Sequence, residues 1–157
     1  MQALLQTNHG IITIELSEST PKTASNFAKL ASKGFYDGTK FHRIIAGFMI
    51  QGGDPLTKDN EQSALWGTGG PGYRFADEIS EGNHNTIGTI SMANSGPDTN
   101  GSQFFINVAN NSFLDTKHTV FGHVVEGMDV VLTIVETPVT TSDRPLSPVV
   151  LERLTIA

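Results

Sequence analysis

The sequence predicts a mostly antiparallel β-sheet closed into a barrel, with two short helices packed against it. Three observations lead there. Short runs rich in Ile, Val, Thr and Phe recur along the chain, several with the two-residue alternation of half-buried strands. Two further segments carry helical spacing or helix boundary signals. Strands do not alternate with helices in the rhythm of βαβ units, which removes a doubly wound parallel sheet. No repeat or linker divides the 157 residues, so one domain over residues 1–157 is expected.

Taken in order, Leu4 to Thr7 and Ile11 to Leu16 read as a hairpin turning at Thr7-Asn8-His9-Gly10. Ile12, Ile14 and Leu16 alternate with Thr13 and Glu15. Thr20-Pro21 announces a helix, a capping hydroxyl followed by proline at the first helical position. Ala24, Phe27, Ala28 and Ala31 give it one apolar face, and Gly34 stops it. Phe41 to Ile45 and Phe48 to Ile50 read as adjacent strands bent at Gly47. Residues 51–72 read as loop, broken by Asp54-Pro55, Asp59-Asn60 and a glycine-rich run. Strands resume at 86–92, 104–108 and 119–125, a second helix spans Met128 to Val135 after Gly127, and 149–156 closes as a strand.

Composition excludes several functions. There is no cysteine, which removes disulfides, zinc–thiolate sites and thiol catalysis. A net charge of -6 with scattered basic residues argues against nucleic-acid binding. No apolar run is long enough to span a bilayer, and Met1 to Leu5 lack the basic start of a signal peptide; a cytoplasmic protein without membrane partners is expected.

Three short motifs fail on inspection. Gly67-Thr68-Gly69-Gly70-Pro71-Gly72 satisfies G-x-G-x-x-G, but no strand precedes it and Pro71-Gly72 does not open a helix. Asp98-Thr99-Asn100-Gly101-Ser102 imitates a calcium loop, yet Gln103 and Ala109 stand where glycine and a bidentate glutamate are needed. No histidine pair has helical zinc spacing, so neither metal nor cofactor is expected. There is no G-x-S-x-G; a triad from Ser91, Ser95 or Ser102 with His42, His118 or His123 stays open.

Two segments hold the chemistry. Residues 41–54 place Arg43 among bulky apolar residues and follow it with Phe48, Met49 and Gln51. Burying a charge that cannot be lost is expensive unless something answers it, which suits a site that must hydrogen-bond a mostly apolar ligand. Residues 92–107 set Gln103 beside Phe104 and Phe105, behind a loop of small residues. Neighbours in a strand face opposite ways, so one of the two phenylalanines lies outside the barrel. It lines a ligand pocket or meets a helix on the outer face.

These blocks, with 35–43, Gly67-Thr68-Gly69-Gly70 and 113–122, resemble the cyclophilin family of peptidyl-prolyl cis-trans isomerases over nearly the whole chain. The resemblance implies an eight-stranded antiparallel barrel capped by two helices. It implies that Arg43 is the catalytic arginine and that Phe48, Met49, Phe105, Leu114 and His118 wall the proline pocket. Gln51, Asn94 and Gln103 would hold the substrate backbone, with Gly67 and Ala93 lining the groove. Partners would be proline-containing peptides and unfolded or folding proteins, with the chain a monomer. Phe113 departs from the pattern: many eukaryotic members carry tryptophan there, whose indole N–H helps bind cyclosporin. Weak cyclosporin binding with isomerisation retained is therefore expected.

The chemistry is consistent with these residue types. Rotation about an X-Pro bond breaks no bond, so neither nucleophile nor metal is required; its barrier of roughly 18–20 kcal/mol comes from amide resonance. In the twisted amide the prolyl nitrogen regains a lone pair, which a guanidinium can meet. Arg43 acts on that nitrogen or holds the substrate carbonyl oxygen; the sequence leaves both. A binding module with incidental catalysis and a serine hydrolase are the rival classes.

Overall fold

The computed structural model describes residues 1–157. Nine strands form one sheet in the order β3-β9-β1-β2-β8-β6-β7-β5-β4, every pairing antiparallel. In chain order these are β1 (Gln2–Thr7), β2 (Gly10–Leu16), β3 (Thr39–Lys40), β4 (Arg43–Ile45), β5 (Met49–Gly52), β6 (Thr89–Met92), β7 (Phe104–Asn107), β8 (Val120–Glu126) and β9 (Val150–Ile156). Two helices accompany them, α1 (Pro21–Ser32) and α2 (Met128–Val135).

The sheet thus has nine strands, not eight, and its ladder is open rather than closed. Of the run expected as one strand over 41–45, only Arg43–Ile45 is strand, and a further short strand, β3, precedes it at 39–40: β3 pairs with β9, β4 pairs with β5, and these are the two ends of the sheet. Only Phe41 and His42 separate β3 from β4, so a short piece of chain ties the two edges together and curls the sheet. Phe41 N–H donates to the Val149 carbonyl at 2.9 Å and Ile44 N–H to the Asp143 carbonyl at 2.8 Å, covering edge groups that a closed ladder would have paired.

Alternation sorts the side chains. Ile44, Ile50, Ile106, Ile90 and Gly122 sit side by side across five strands and face inward. Gly122 is required there, because a Cβ would lie 2.6 Å from the Glu15 carbonyl and 3.2 Å from Ile90 Cγ2. From α1, Phe27 enters this interior, with its ring centroid 5.1 Å from both Tyr36 and Phe121 and 5.6 Å from Phe104. The α2 helix buries Val131 and Ile134.

α1 ends as expected and begins differently. Gly34, at φ +72°, donates to Ala31 and Phe35 donates to Leu30, a left-handed stop that satisfies two late carbonyls. Thr20 does not cap: its hydroxyl has no partner. Instead Glu78, 55 residues from Thr23, accepts the Thr23 N–H at 2.6 Å and the Thr23 hydroxyl at 2.7 Å. A carboxylate from a distant loop also complements the helix dipole, which a threonine cannot.

The stretch 51–72 is more ordered than a loop. It contains two 3-10 segments, Pro55–Lys58 and Asn60–Leu65, started by the Asp54 and Asp59 carboxylates. No helix of the chain is long and apolar enough to cross a membrane.

Candidate active site

On the outer face of the curl, β4, β5, β7 and β6 align Arg43, Gln51, Phe105 and Ser91 in one row. Two residues along, Ile45, Met49 and Asn107 form the next row. Phe104 belongs to the interior, whereas Phe105 joins Met49 and Leu114 in a second, separate apolar cluster. Ile45, Phe48 and Ala93 pack against that cluster. This settles where the second phenylalanine goes: a small apolar cluster, not a packed helix, receives it.

A directed chain of hydrogen bonds borders the cluster. Arg43 Nη1 donates to Gln51 Oε1 at 3.3 Å, and Gln51 Nε2 donates to Gln103 Oε1 at 3.0 Å. Gln103 Nε2 donates to the Gly67 and Gly69 carbonyls at 3.0 and 2.9 Å. Each amide orientation is fixed by its neighbour, and no carboxylate lies within 4.0 Å of the exposed Arg43 guanidinium. Its remaining N–H groups are free to meet a ligand.

Asp54 anchors the far end of that chain. It is fully buried and accepts the N–H groups of Leu56 at 2.8 Å, Gly67 at 2.5 Å and Gly69 at 3.2 Å. Gly69 cannot carry a side chain, since its Cβ would overlap this carboxylate, and Gly67 holds φ +99°. The glycine-rich run is therefore a strap wrapped on an aspartate. Ser102, whose hydroxyl donates to the Gly53 carbonyl at 2.8 Å, joins the two motif segments just behind it. A groove of about 590 Å³ opens beside the strap, bounded by Gln51, Gly67, Ala93, Asn94 and Gln103.

The segment carrying Phe113, Leu114 and His118 is held from beneath by buried asparagines. Asn111 Nδ2 donates to the Phe48 carbonyl at 3.0 Å, and Asn83 Nδ2 donates to the carbonyls of Asp115 and His118 at 2.8 and 2.9 Å. His118 meets Phe105 edge-on at 5.3 Å between centroids. Its Nδ1 lies 2.8 Å from the Met92 carbonyl, which can only accept, so that nitrogen carries a proton. Asn94 Nδ2 is spent on the Lys117 carbonyl at 2.8 Å, so its amide braces this segment as well as bounding the groove. Phe113 is 66% exposed, with its ring 5.8 Å from Phe48.

Asp115 locks the same segment from outside. Its Oδ1 accepts the Asn85 N–H at 2.7 Å, which chiefly holds the carboxyl below its ordinary range; the Asn85 amide and His84 add to this. A depressed carboxyl stabilises the fold above its unfolded pKa, about 4, and that contribution fades as pH falls through the lower folded value. Asp115→Asn is therefore expected to lower Tm at pH 7, with the gap from wild type narrowing below about pH 4. A gap constant down to pH 2 would contradict this.

Taken together, the outer-face row, the apolar cluster and the strap gather all twelve site residues expected from the sequence on one side of the sheet. No serine hydroxyl is hydrogen-bonded to a histidine; Ser91 donates to Asn85 at 2.6 Å instead, which leaves the triad without its first contact. Asp54, Asn83, Asn111 and Asp115 were not foreseen. Asp54 had one signal, an acid directly after Gly52-Gly53 with a glycine-rich run following.

Residues 3–156 match the family profile described as cyclophilin type peptidyl-prolyl cis-trans isomerase/CLD. The chain belongs to the cyclophilin family. It is 46% identical over 158 residues to the Arabidopsis thaliana peptidyl-prolyl cis-trans isomerase CYP18-1, covering 99% of this chain and 96% of the relative. Against the human peptidyl-prolyl cis-trans isomerase-like 1 it is 46% identical over 147 residues, covering 92% and 86%. The crystal structure of a Cryptosporidium parvum cyclophilin type isomerase, determined in the presence of the dipeptide Ala-Pro, superposes with a TM-score of 0.91 at 33% identity, covering 100% of this chain and 99% of that one. This cyclophilin is accordingly a peptidyl-prolyl cis-trans isomerase.

Proposed function

We propose that this cyclophilin accelerates X-Pro rotation in polypeptides by stabilising the twisted amide with Arg43 beside the Met49–Phe105–Leu114 cluster. The observation that carries the reading is the state of that guanidinium: oriented by Gln51, unpaired with any acid, and on the same sheet face as the cluster. The pyrrolidine ring rests on Phe48, Met49, Phe105 and Leu114, with His118 closing one wall. Gln51, Asn94 and Gln103 engage the flanking backbone, and Gly67 and Ala93 border the groove that receives it. The likeness to a protein crystallised with Ala-Pro supports a proline-containing ligand.

The magnitudes divide the work. An acceleration near ~10⁶-fold requires about 8 kcal/mol. One charge-assisted hydrogen bond supplies about 1.5–3 kcal/mol. The rest falls to positioning and to a dry surface, where the charge-separated planar amide is worse off than the twisted one. Substrates are unfolded or folding chains, in which uncatalysed X-Pro exchange takes roughly tens to hundreds of seconds. The domain 1–157 performs this alone, as a monomer.

NMR exchange on a short Ala-Pro peptide tests the reading. Exchange cross-peaks that grow with enzyme concentration are expected, and binding without faster exchange would make the chain a binding module. Cyclosporin gives a second expectation. Phe113 offers no N–H donor, so the native protein should bind the drug weakly, and Phe113→Trp should tighten it by about 2- to 10-fold, the worth of one neutral hydrogen bond. Nanomolar inhibition of the native protein would contradict this.

A further inference from the structure

Behind the strap lies a second cavity, of about 310 Å³, lined by Lys40, His42, Trp66, Arg144, Pro145 and Pro148 among others. Two cations converge on one indole: Lys40 Nζ stands 5.2 Å and Arg144 Cζ 4.5 Å from the Trp66 ring centroid. Each is tethered to a 3-10 segment by a neutral acceptor. Lys40 Nζ donates to the Thr57 carbonyl at 2.6 Å, and Arg144 Nη2 donates to the Ser63 carbonyl at 2.9 Å.

Nothing answers their charge. The ion pairs of the chain within 4.0 Å are Met1–Glu15 and His84–Asp115, so no carboxylate reaches either cation. Asp54 is engaged with Leu56, Gly67 and Gly69 and Asp59 with the Glu61 N–H, while the Asp143 and Glu61 carboxylates form no ion pair with either cation. The Nε of Arg144 is buried here without any partner. A buried guanidinium N–H with no acceptor is costly, and native structures rarely leave one so. Two like charges gathered without a counter-charge, in a chain of net charge -6, add to that cost.

Trp66, Pro145, Pro148, Phe41 and Val149 give the cavity an apolar wall, and His42, Asn60 and Ser63 complete its lining. Its size falls at the lower end of small-molecule sites, which combine an apolar lining with a few convergent polar groups. We propose that this cavity is a binding site for a small organic oxyanion, its phosphate or carboxylate oxygens taken by Arg144 and Lys40 and its apolar body by Trp66 and the two prolines. Isomerisation does not require it. Occupancy would supply the missing counter-charge and clamp the 3-10 segments that lead into the Gly67–Gly69 strap.

Trp66 is the single tryptophan of the chain, so its fluorescence reports on this cavity alone. The probe is phenyl phosphate, titrated into the full-length protein with excitation confined to tryptophan. A saturable change is expected, with half-saturation between about 0.1 and 10 mM, and a weaker response to inorganic phosphate, which lacks the apolar body. Arg144→Gln should raise the half-saturation concentration by about 10-fold or more, the loss of one charged hydrogen bond. Because Arg144 also braces Ser63, Lys40→Gln is the second variant, expected to act in the same direction. Raising sodium chloride to roughly 0.5 M should weaken binding, and a saturating Ala-Pro peptide should leave it unchanged. The proposal is overturned by the absence of a saturable response up to about 10 mM. It is equally overturned by a response that survives both substitutions, or by one that the proline peptide abolishes.

Discussion

Arg43→Ala is expected to lower kcat/KM on an Ala-Pro peptide by about 10²- to 10³-fold while leaving the fold intact. That loss corresponds to roughly 3–4 kcal/mol of transition-state stabilisation. It exceeds an ordinary surface hydrogen bond because the interaction is made where charge reorganises in the transition state, beside the Met49–Phe105–Leu114 cluster. The fold should tolerate the change. Arg43 is exposed on an edge strand, its side-chain bond is to Gln51 at 3.3 Å, and Gln51 keeps its bond to Gln103. No buried group is orphaned, so Tm should move by no more than about 2 °C. Arg43→Lys separates charge from geometry: a point charge without the planar fork should recover only part of the activity. Near-normal turnover in the alanine variant would remove Arg43 from the mechanism.

Asp54→Ala is expected to destabilise the protein and the site together. Three backbone N–H groups would lose a charged acceptor in a fully buried position. Hydrogen bonds to charged groups contribute about 1.5–3 kcal/mol each, so even with strong non-additivity the loss should exceed about 2 kcal/mol. For a chain of this size that lowers Tm by at least about 4–8 °C. Activity should fall as well, measured at a temperature where the variant is still folded. The Gly67 and Gly69 carbonyls orient Gln103, which orients Gln51, which orients Arg43. Asp54→Asn keeps one acceptor oxygen and should lie between the two. A variant that melts early but turns over normally would show that the strap supports the fold without tuning the site.

Much of this was legible from residue order. The inner row of Ile44 and Ile50 follows from alternation within one short run, whereas Gln51, expected at the start of a loop, is still strand and stands opposite Arg43. Phe104 and Phe105 had to part, because adjacent strand residues point opposite ways. Gly34 and the span of α2 were readable for the same reason, since their signals lie within a few residues of the structure they produce. What could not be read involves partners far apart in sequence. Glu78, rather than Thr20, caps α1; Asp54 holds a strap 13 to 15 residues away; Asn83 reaches the 115–118 segment across 32 to 35 residues. A carboxylate or amide leaves no periodic trace, so nothing near it announces its target.

The split of β3 from β4 has a similar cause. Phe41 to Ile45 carries strand propensity throughout, yet the chain must step from one sheet edge to the other at Phe41 and His42, and propensity does not register that only Arg43–Ile45 finds a strand neighbour. Local pattern therefore gave most of the strands, their faces and the family likeness, because side-chain alternation and turn chemistry are properties of adjacent residues. Ring closure by a covalent crossing, the aspartate-bound strap and the uncompensated cations around Trp66 arose only on folding. Long-range electrostatics and hydrogen bonding depend on which distant segments the curled sheet brings within about 3 Å of each other.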